Sequence, residues 1–236
     1  IVDKIPKEIS QFFFTFNIWN LPVYILFLAT GLLIVAAVVV VTEAERPIPV
    51  TYAKQVRGDH VSGGTQTYLP IRVNQAGVIP IIFALSILLF PQLIGNALQG
   101  MANPILHSIS VGLLWFVNNT WLYSLFYFIF VFLFTYFYTA VTFDPEQIST
   151  NLQKNGAFVP GIRPGNATRD YISKILNRTT TMGAVFLGVI AVLPLVIKSI
   201  TGITAFAIGG TALLIVVSVV LDLIKKTEAQ LSMREY

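Results

Sequence analysis

Residues Val73 to Phe143 read VNQAGVIPIIFALSILLFPQLIGNALQGMANPILHSISVGLLWFVNNTWLYSLFYFIFVFLFTYFYTAVTF, 71 positions without one Asp, Glu, Lys or Arg. About 20 apolar residues suffice to cross a hydrocarbon core, so this run holds two spans and the loop between them. Soluble domains carry about 25% charged residues. This chain of 236 carries 11%, against 55% hydrophobic residues, and its mean hydropathy is +0.75. The fold class that follows is an all-α polytopic membrane protein.

Outward from that run, five spans emerge. The run itself supplies 77–95 and 119–143, the latter with 12 aromatic residues between Trp121 and Phe143. A first span, 21–41, lies in the charge-free stretch between Glu8 and Glu43. A fourth, 180–197, and a fifth, 203–222, are separated only by Lys198 to Gly202 and form an antiparallel hairpin. The loops 42–76 and 144–179 and the tail 223–236 then share one side, and they hold 12 of the 15 Lys and Arg. By the positive-inside rule that side is cytoplasmic. Residues 1–20 and the loop 96–118 are external. Within the latter, Pro104 after Asn103 suits a helix start, so a short interfacial helix is expected over about 104–116. The chain begins at Ile1 with a polar, mixed-charge stretch, which is neither a signal peptide nor a natural start and reads as part of a longer polypeptide.

The two basic loops have patterns of their own. Arg46 to Gln55 and Thr65 to Val73 are extended, β-branched runs flanking the turn-forming Arg57-Gly58-Asp59 and Ser62-Gly63-Gly64, which predicts a β-hairpin. Pro47, Pro49 and Pro70 confine those strand ends to edges. In the second loop, Asp144-Pro145 opens a helix or turn. Gly156-Ala-Phe-Val-Pro-Gly-Ile-Arg-Pro-Gly165 follows as a turn stiffened by two prolines and loosened by glycines at fixed points, which presents Arg163 on a defined surface. Thr168 to Arg178 reads as a short basic helix leading into the fourth span. Taken alone, these loop charges equally satisfy topology.

Apart from Asp222 at the inner end of the fifth, the spans contain no Asp, Glu, Lys or Arg, and they have no Ser-His pair in register, which argues against an intramembrane enzyme. There is no Cys, and His60 and His107 are far apart, so no metal site is read here. No G-x-x-x-x-G-K-[ST] loop binds a nucleotide, and no cofactor is expected. Half of an inverted-repeat secondary transporter is the alternative, although such proteins place charged or unwound coordinating groups near the midplane, where these spans are aliphatic.

Four strings carry a resemblance. Val73-Asn-Gln-Ala-Gly-Val-Ile-Pro-Ile-Ile-Phe83 with Leu89-Phe-Pro91 resembles the seventh transmembrane helix of the bacterial SecY family of protein-translocation channel subunits. Pro49-Val-Thr-Tyr-Ala-Lys54 is similar to its sixth-to-seventh loop, Gly156 to Gly165 to its eighth-to-ninth loop, and Gly209-Gly-Thr-Ala-Leu-Leu-Ile-Val-Val217 to its tenth helix. The match runs in order from about Leu21 to the C-terminus. It implies the C-terminal half of a ten-helix channel, helices six to ten, with residues 1–20 the end of the external hinge. The resemblance also implies roles for particular residues. Ile82 and Ile215 align with the aliphatic pore ring, where flexible apolar side chains close around a moving peptide without hydrogen-bonding it. Asn74, Gln75, Ser86 and Phe90 fall at or near the lateral gate, through which signal sequences leave for lipid. Arg163, Lys54, Arg57 and Arg169 fall where the family docks the SecA motor or the translating ribosome, through acidic protein surface or ribosomal RNA. Further implied partners are the N-terminal half of the channel, SecE, SecG, nascent polypeptides and the lipid bilayer, and the implied location is the bacterial cytoplasmic membrane with the C-terminus inside.

Overall fold

The computed structural model describes residues 21–53, 55–57, 60–62, 66–101 and 103–201, with positions 219, 220, 223, 224 and 227. These fall in two compact units, one within residues 1–40 and 190–236 and the other within 41–189. The segment 1–20, Lys54 and Ile215 lie outside the described residues, as do most of the fifth span and of the tail.

Helix α1, Leu21–Glu43, is 23 residues long and ends on the acidic Glu43. Strand β1, Glu45–Tyr52, follows, then β2, Gln55–Arg57, β3, His60–Ser62, and β4, Gln66–Arg72. β1 and β4 form the expected antiparallel hairpin, from Glu45 opposite Arg72 to Thr51 opposite Gln66. Its base is closed by Val73 N donating to Ala44 O at 2.9 Å. A second small ladder pairs β2 with β3 further along the hairpin.

Helix α2, Ile79–Leu98, corresponds to the expected second span. Gly77 at φ +61° makes the sharp turn before it, and Pro80 sits at its first turn, where a missing N–H costs nothing. Its buried side is Pro80, Ile81, Ala84, Leu88 and Gly95, spaced as one face of a helix. Helix α3, Pro104–Asn118, starts as expected, with the Asn103 side chain accepting from Ile105 N. Helix α4, Thr120–Thr142, is the aromatic span, capped by the Asn119 side chain accepting from Leu122 N. It buries Ser124, Tyr127, Val131, Thr135 and Thr139, every third or fourth residue. Phe83 of α2 stacks on Phe134 of α4 with ring centroids 5.9 Å apart.

Beyond α4, Asp144 caps helix α5, Pro145–Lys154, by accepting from Glu146 N and Gln147 N. Strand β5, Ala157–Phe158, joins the outer side of β1. The expected basic helix 168–178 and fourth span 180–197 are one element: α6 runs unbroken over 36 residues, Asn166–Thr201. At about 1.5 Å per residue it rises about 54 Å, well beyond a hydrocarbon core of about 30 Å. It thus has more turns than the core can hold. Thr179-Thr180-Thr181 does not break it; the Thr179 and Thr181 hydroxyls donate back to Ile175 O and Asn177 O within the helix. Among the described residues three helices, α2, α4 and α6, are long and apolar enough to span a membrane. The protein is an all-α polytopic membrane protein with a small β-hairpin, as expected.

The prolines sit where proline chemistry demands. Pro47 faces Pro70 across the hairpin, and since neither has an N–H, this pair is of the non-hydrogen-bonded kind. By alternation the amide positions of Pro47, Pro49 and Thr51 point away from β4. Only Thr51 of these has a donor to offer. That is where β5 begins to pair, Thr51 opposite Phe158 and Tyr52 opposite Ala157. β1 is thus central at its end and an edge along its prolines.

Candidate functional site

Two basic loops, about a hundred residues apart in sequence, form one packed module. Ile48 of β1 and Ile71 of β4 are buried with Val159, Ile172, Ile175 and Leu176 in a single apolar cluster. Leu69, Phe143, Ile148, Leu152, Ile162 and Tyr171 pack around it. The β5 pairing and a bond from Ala53 N to Gly156 O at 2.9 Å lock the hairpin to the second loop. The sequence patterns treat the loops as separate; no local signal reports a contact of this range.

Within the module the frame of Arg163 is built stepwise. α5 ends with Gly156 at φ +65°, a left-handed position natural to glycine after a helix C-cap. Val159-Pro160-Gly161-Ile162 is a tight turn closed by Ile162 N donating to Val159 O at 3.0 Å, with Gly161 at φ +81°. Pro then Gly with positive φ is a type II turn. Gly165, at φ +98°, exposes a carbonyl that accepts from Ser149 Oγ at 2.8 Å and from Arg169 N at 3.1 Å. Thr168 Oγ1 donates to the Arg163 carbonyl at 3.0 Å. Arg163 itself is exposed. Its backbone is therefore held from behind by a buried threonine while its guanidinium is free to meet a partner. Ser149 and Thr168 are 4% and 2% exposed, and both were missed from sequence because a lone hydroxyl in a polar loop carries no signal.

The other residues expected to dock partners differ. Arg169 donates through Nε and Nη2 to Asp170 Oδ1 at 3.1 and 3.0 Å, an exposed pair with side chains 42% and 69% accessible. Such a pair contributes about 0.2–1 kcal/mol and partly neutralises Arg169 as a free cation. Arg57 closes β2, its backbone opposite His60. Lys54 is outside the described residues. Arg46, Arg72, Lys154, Lys174 and Arg178 are exposed basic residues of the same unit.

On α2 the candidates divide. Ile82, 43% accessible, Ser86 and Phe90 recur at every fourth position and form one exposed stripe opposite the buried Ile81, Ala84 and Leu88. Ser86 Oγ donates to Ile82 O at 2.8 Å, which leaves little polarity on the stripe. Asn74 is instead 8% accessible, buried within this unit, and its Oδ1 has no hydrogen-bond partner. Gln75 is half-buried with Nε2 equally unpartnered. The sequence brought these four together as gate residues; the structure separates an exposed pair from a pair tucked in at the start of α2. The start of α2 meets α6 at Gly183, where a Cβ would collide with the Val73 carbonyl and lie 3.8 Å from Asn74 Cα. Gly188 likewise admits Phe128, whose Cδ2 would be 2.6 Å from a Cβ. Tyr136 OH and Thr181 Oγ1 share a hydrogen bond between α4 and α6.

Long apolar helices with an exposed apolar stripe on α2, together with a basic β module in the same unit, define a multi-pass membrane protein. The SecY family model matches residues 1–224. The chain is 46% identical over 218 residues to the protein translocase subunit SecY of Thermus thermophilus, covering 92% of this chain and 48% of that protein. It is 42% identical over 236 residues to that of Thermotoga maritima, covering 100% and 52%, and 42% identical over 217 residues to that of Streptomyces galbus, covering 89% and 47%. The chain belongs to the SecY family. It spans about half the length of these relatives.

Proposed function

We propose that this chain is the C-terminal half of a protein-conducting channel, which moves unfolded polypeptides across the bacterial cytoplasmic membrane and releases transmembrane segments into it. The observation that carries this reading is the SecY match over nearly the whole chain at half the relatives' length. Ile82, with Ile215 on the fifth span, supplies this half's share of an aliphatic collar that dewets when empty and yields to any side chain in transit. Ser86 and Phe90 line the gate beside it, and Asn74 and Gln75 set the start of the gate helix. The exposed stripe on α2 supports this, since among the described residues nothing covers it.

The β module faces the cytoplasm, as its basic content requires. Arg163 offers planar forked donors to carboxylate or phosphate, so it docks either the SecA motor or ribosomal RNA, with Lys54 and Arg57 contributing from the other loop. SecE, SecG and the N-terminal half complete the assembly. The chain does no chemistry of its own, and energy comes from the docked partner.

Arg163→Glu in the complete channel tests this. Membrane insertion and abundance stay near normal, while motor-driven export falls. A charge-assisted contact is worth about 1.5–3 kcal/mol, or roughly ten- to a hundredfold in docking affinity. Export unchanged by the substitution would refute the docking role. Failure of the chain to copurify with SecE and with SecA or ribosomes would refute the channel reading itself.

A further inference from the structure

Helix α3 has a design that the channel reading does not use. It joins the end of α2 to the start of α4, both of membrane-spanning character, so it lies at the membrane surface opposite the β module. Its 15 residues rise about 22 Å, too short to span about 30 Å of hydrocarbon, and they include no Asp, Glu, Lys or Arg. One side is tied to the protein: Ser110, fully buried, donates to Gly95 O at 2.7 Å, and Leu113 and Leu114 crowd the same glycine. The remaining three sides differ from one another. At about 100° per residue, Ile105, Ile109 and Phe116 fall within about 40° of each other, while His107 and Asn118 lie about half a turn away. Ile105 is 70% and Ile109 47% accessible, and His107 and Asn118 are exposed. Between these edges, opposite Ser110, stands Trp115, 61% accessible. Val111, exposed, and Leu114, half-buried against Gly95, are the apolar side chains toward the polar edge.

We infer that α3 is a lipid-interface anchor for the end of α2. Ile105 and Ile109 sink into the acyl boundary, about 5–10 Å deep as amphipathic helices do, His107 and Asn118 stay in water, and Trp115 lies at headgroup level, where indoles concentrate. The occupant of the apolar edge is the bilayer itself, because the helices at either end of α3 place it there and no charge opposes its entry. Through Ser110 and Gly95 the depth of α3 sets where α2 ends. This inference needs only that α2 and α4 span, and holds whether or not α2 lines a gate.

The chain has no cysteine, so single nitroxide labels at Ile105, Ile109, His107 and Asn118 can be read in the complete channel, built free of other reactive cysteines and reconstituted in phosphatidylethanolamine–phosphatidylglycerol bilayers. The ratio of collision rates with oxygen and with a water-soluble nickel chelate is expected to be several-fold higher at 105 and 109 than at 107 and 118. Four equally chelate-accessible labels would place α3 above the membrane and overturn the inference. Labels at 105 and 109 shielded from both reagents would mean that a protein covers the apolar edge, which overturns it equally. In Ser110→Ala, a label at Gly100 is expected to gain mobility while those at 105 and 109 keep their depth; unchanged mobility at Gly100 would refute the tether.

Discussion

Ile71→Ala is the sharpest test of whether the two loops act as one body. Ile71 is 1% accessible and belongs to β4, whereas Val159 and Ile172, in the same cluster, belong to the segment around Arg163. Truncating a fully buried isoleucine costs about 2–5 kcal/mol through lost transfer energy and the cavity left behind. If the module opens as a unit, that cost appears as an opening equilibrium raised roughly 30- to 4,000-fold, at about 1.4 kcal/mol per tenfold. Hydrogen exchange of the complete channel in nanodiscs reads it directly. Amides of the ladder 66–72 are expected to exchange faster by a factor in that range, and those of Ala157 to Ile162 by the same factor. Acceleration confined to the hairpin, with 157–162 unchanged, would show two independent loops and refute the argument that the hairpin supports the Arg163 turn.

Other substitutions separate the remaining claims. Thr168→Val removes the hydroxyl that holds the Arg163 carbonyl while keeping size; motor binding measured by surface plasmon resonance should weaken, by less than with Arg163→Glu, and equal affinity would show that the turn holds itself. Gly183→Ala forces α6 off the Val73 carbonyl and should cost about 1–3 kcal/mol as overpacking does, lowering the midpoint of thermal aggregation in detergent. Gly112→Ala, where a Cβ meets nothing within 4 Å, should not, and equal midpoints for the two would count against the close approach. Replacing Ile82 and Ile215 together with Gly should raise ion leak through the complete channel in planar bilayers without abolishing export; a silent channel would place both in lipid or helix packing. A cysteine at Lys154 should react with an impermeant maleimide only from the cytoplasmic side and one at Gly100 only from the other, and the reverse pattern would invert the topology.

What could be read from residues alone was whatever is written locally. Charge-free runs mark the spans, and the Pro-Gly pattern from Pro160 to Gly165 encodes a turn whose glycines adopt positive φ as expected. The β-hairpin followed from β-branched runs around turn residues, though its second ladder did not. The helix bounds shifted by a few residues because nothing in a uniformly apolar run marks where hydrogen bonding stops. α6 was divided at Arg178 because charge ends there. Charge reports the lipid boundary, however, and helicity is broken only by backbone chemistry that is absent from Thr179 to Thr181. The packing of Ile71 on Ile172 was invisible, since apolar residues in loops show no period linking them. Asn74 was placed at or near the gate by the resemblance; only the fold shows it buried within its unit. The stripe of Ile82, Ser86 and Phe90 is plain in the spacing once α2 is known to be regular.

The prolines of β1 bear on what else the three-stranded sheet can bind. A bare strand edge is a template for any extended chain that can lend it a new ladder. With Pro47 and Pro49 on the outer side of β1, and Pro70 interrupting β4, both rims are missing donors where a visiting strand would need them. An extended chain approaching either rim therefore meets gaps in the ladder, and the sheet keeps its own strand order.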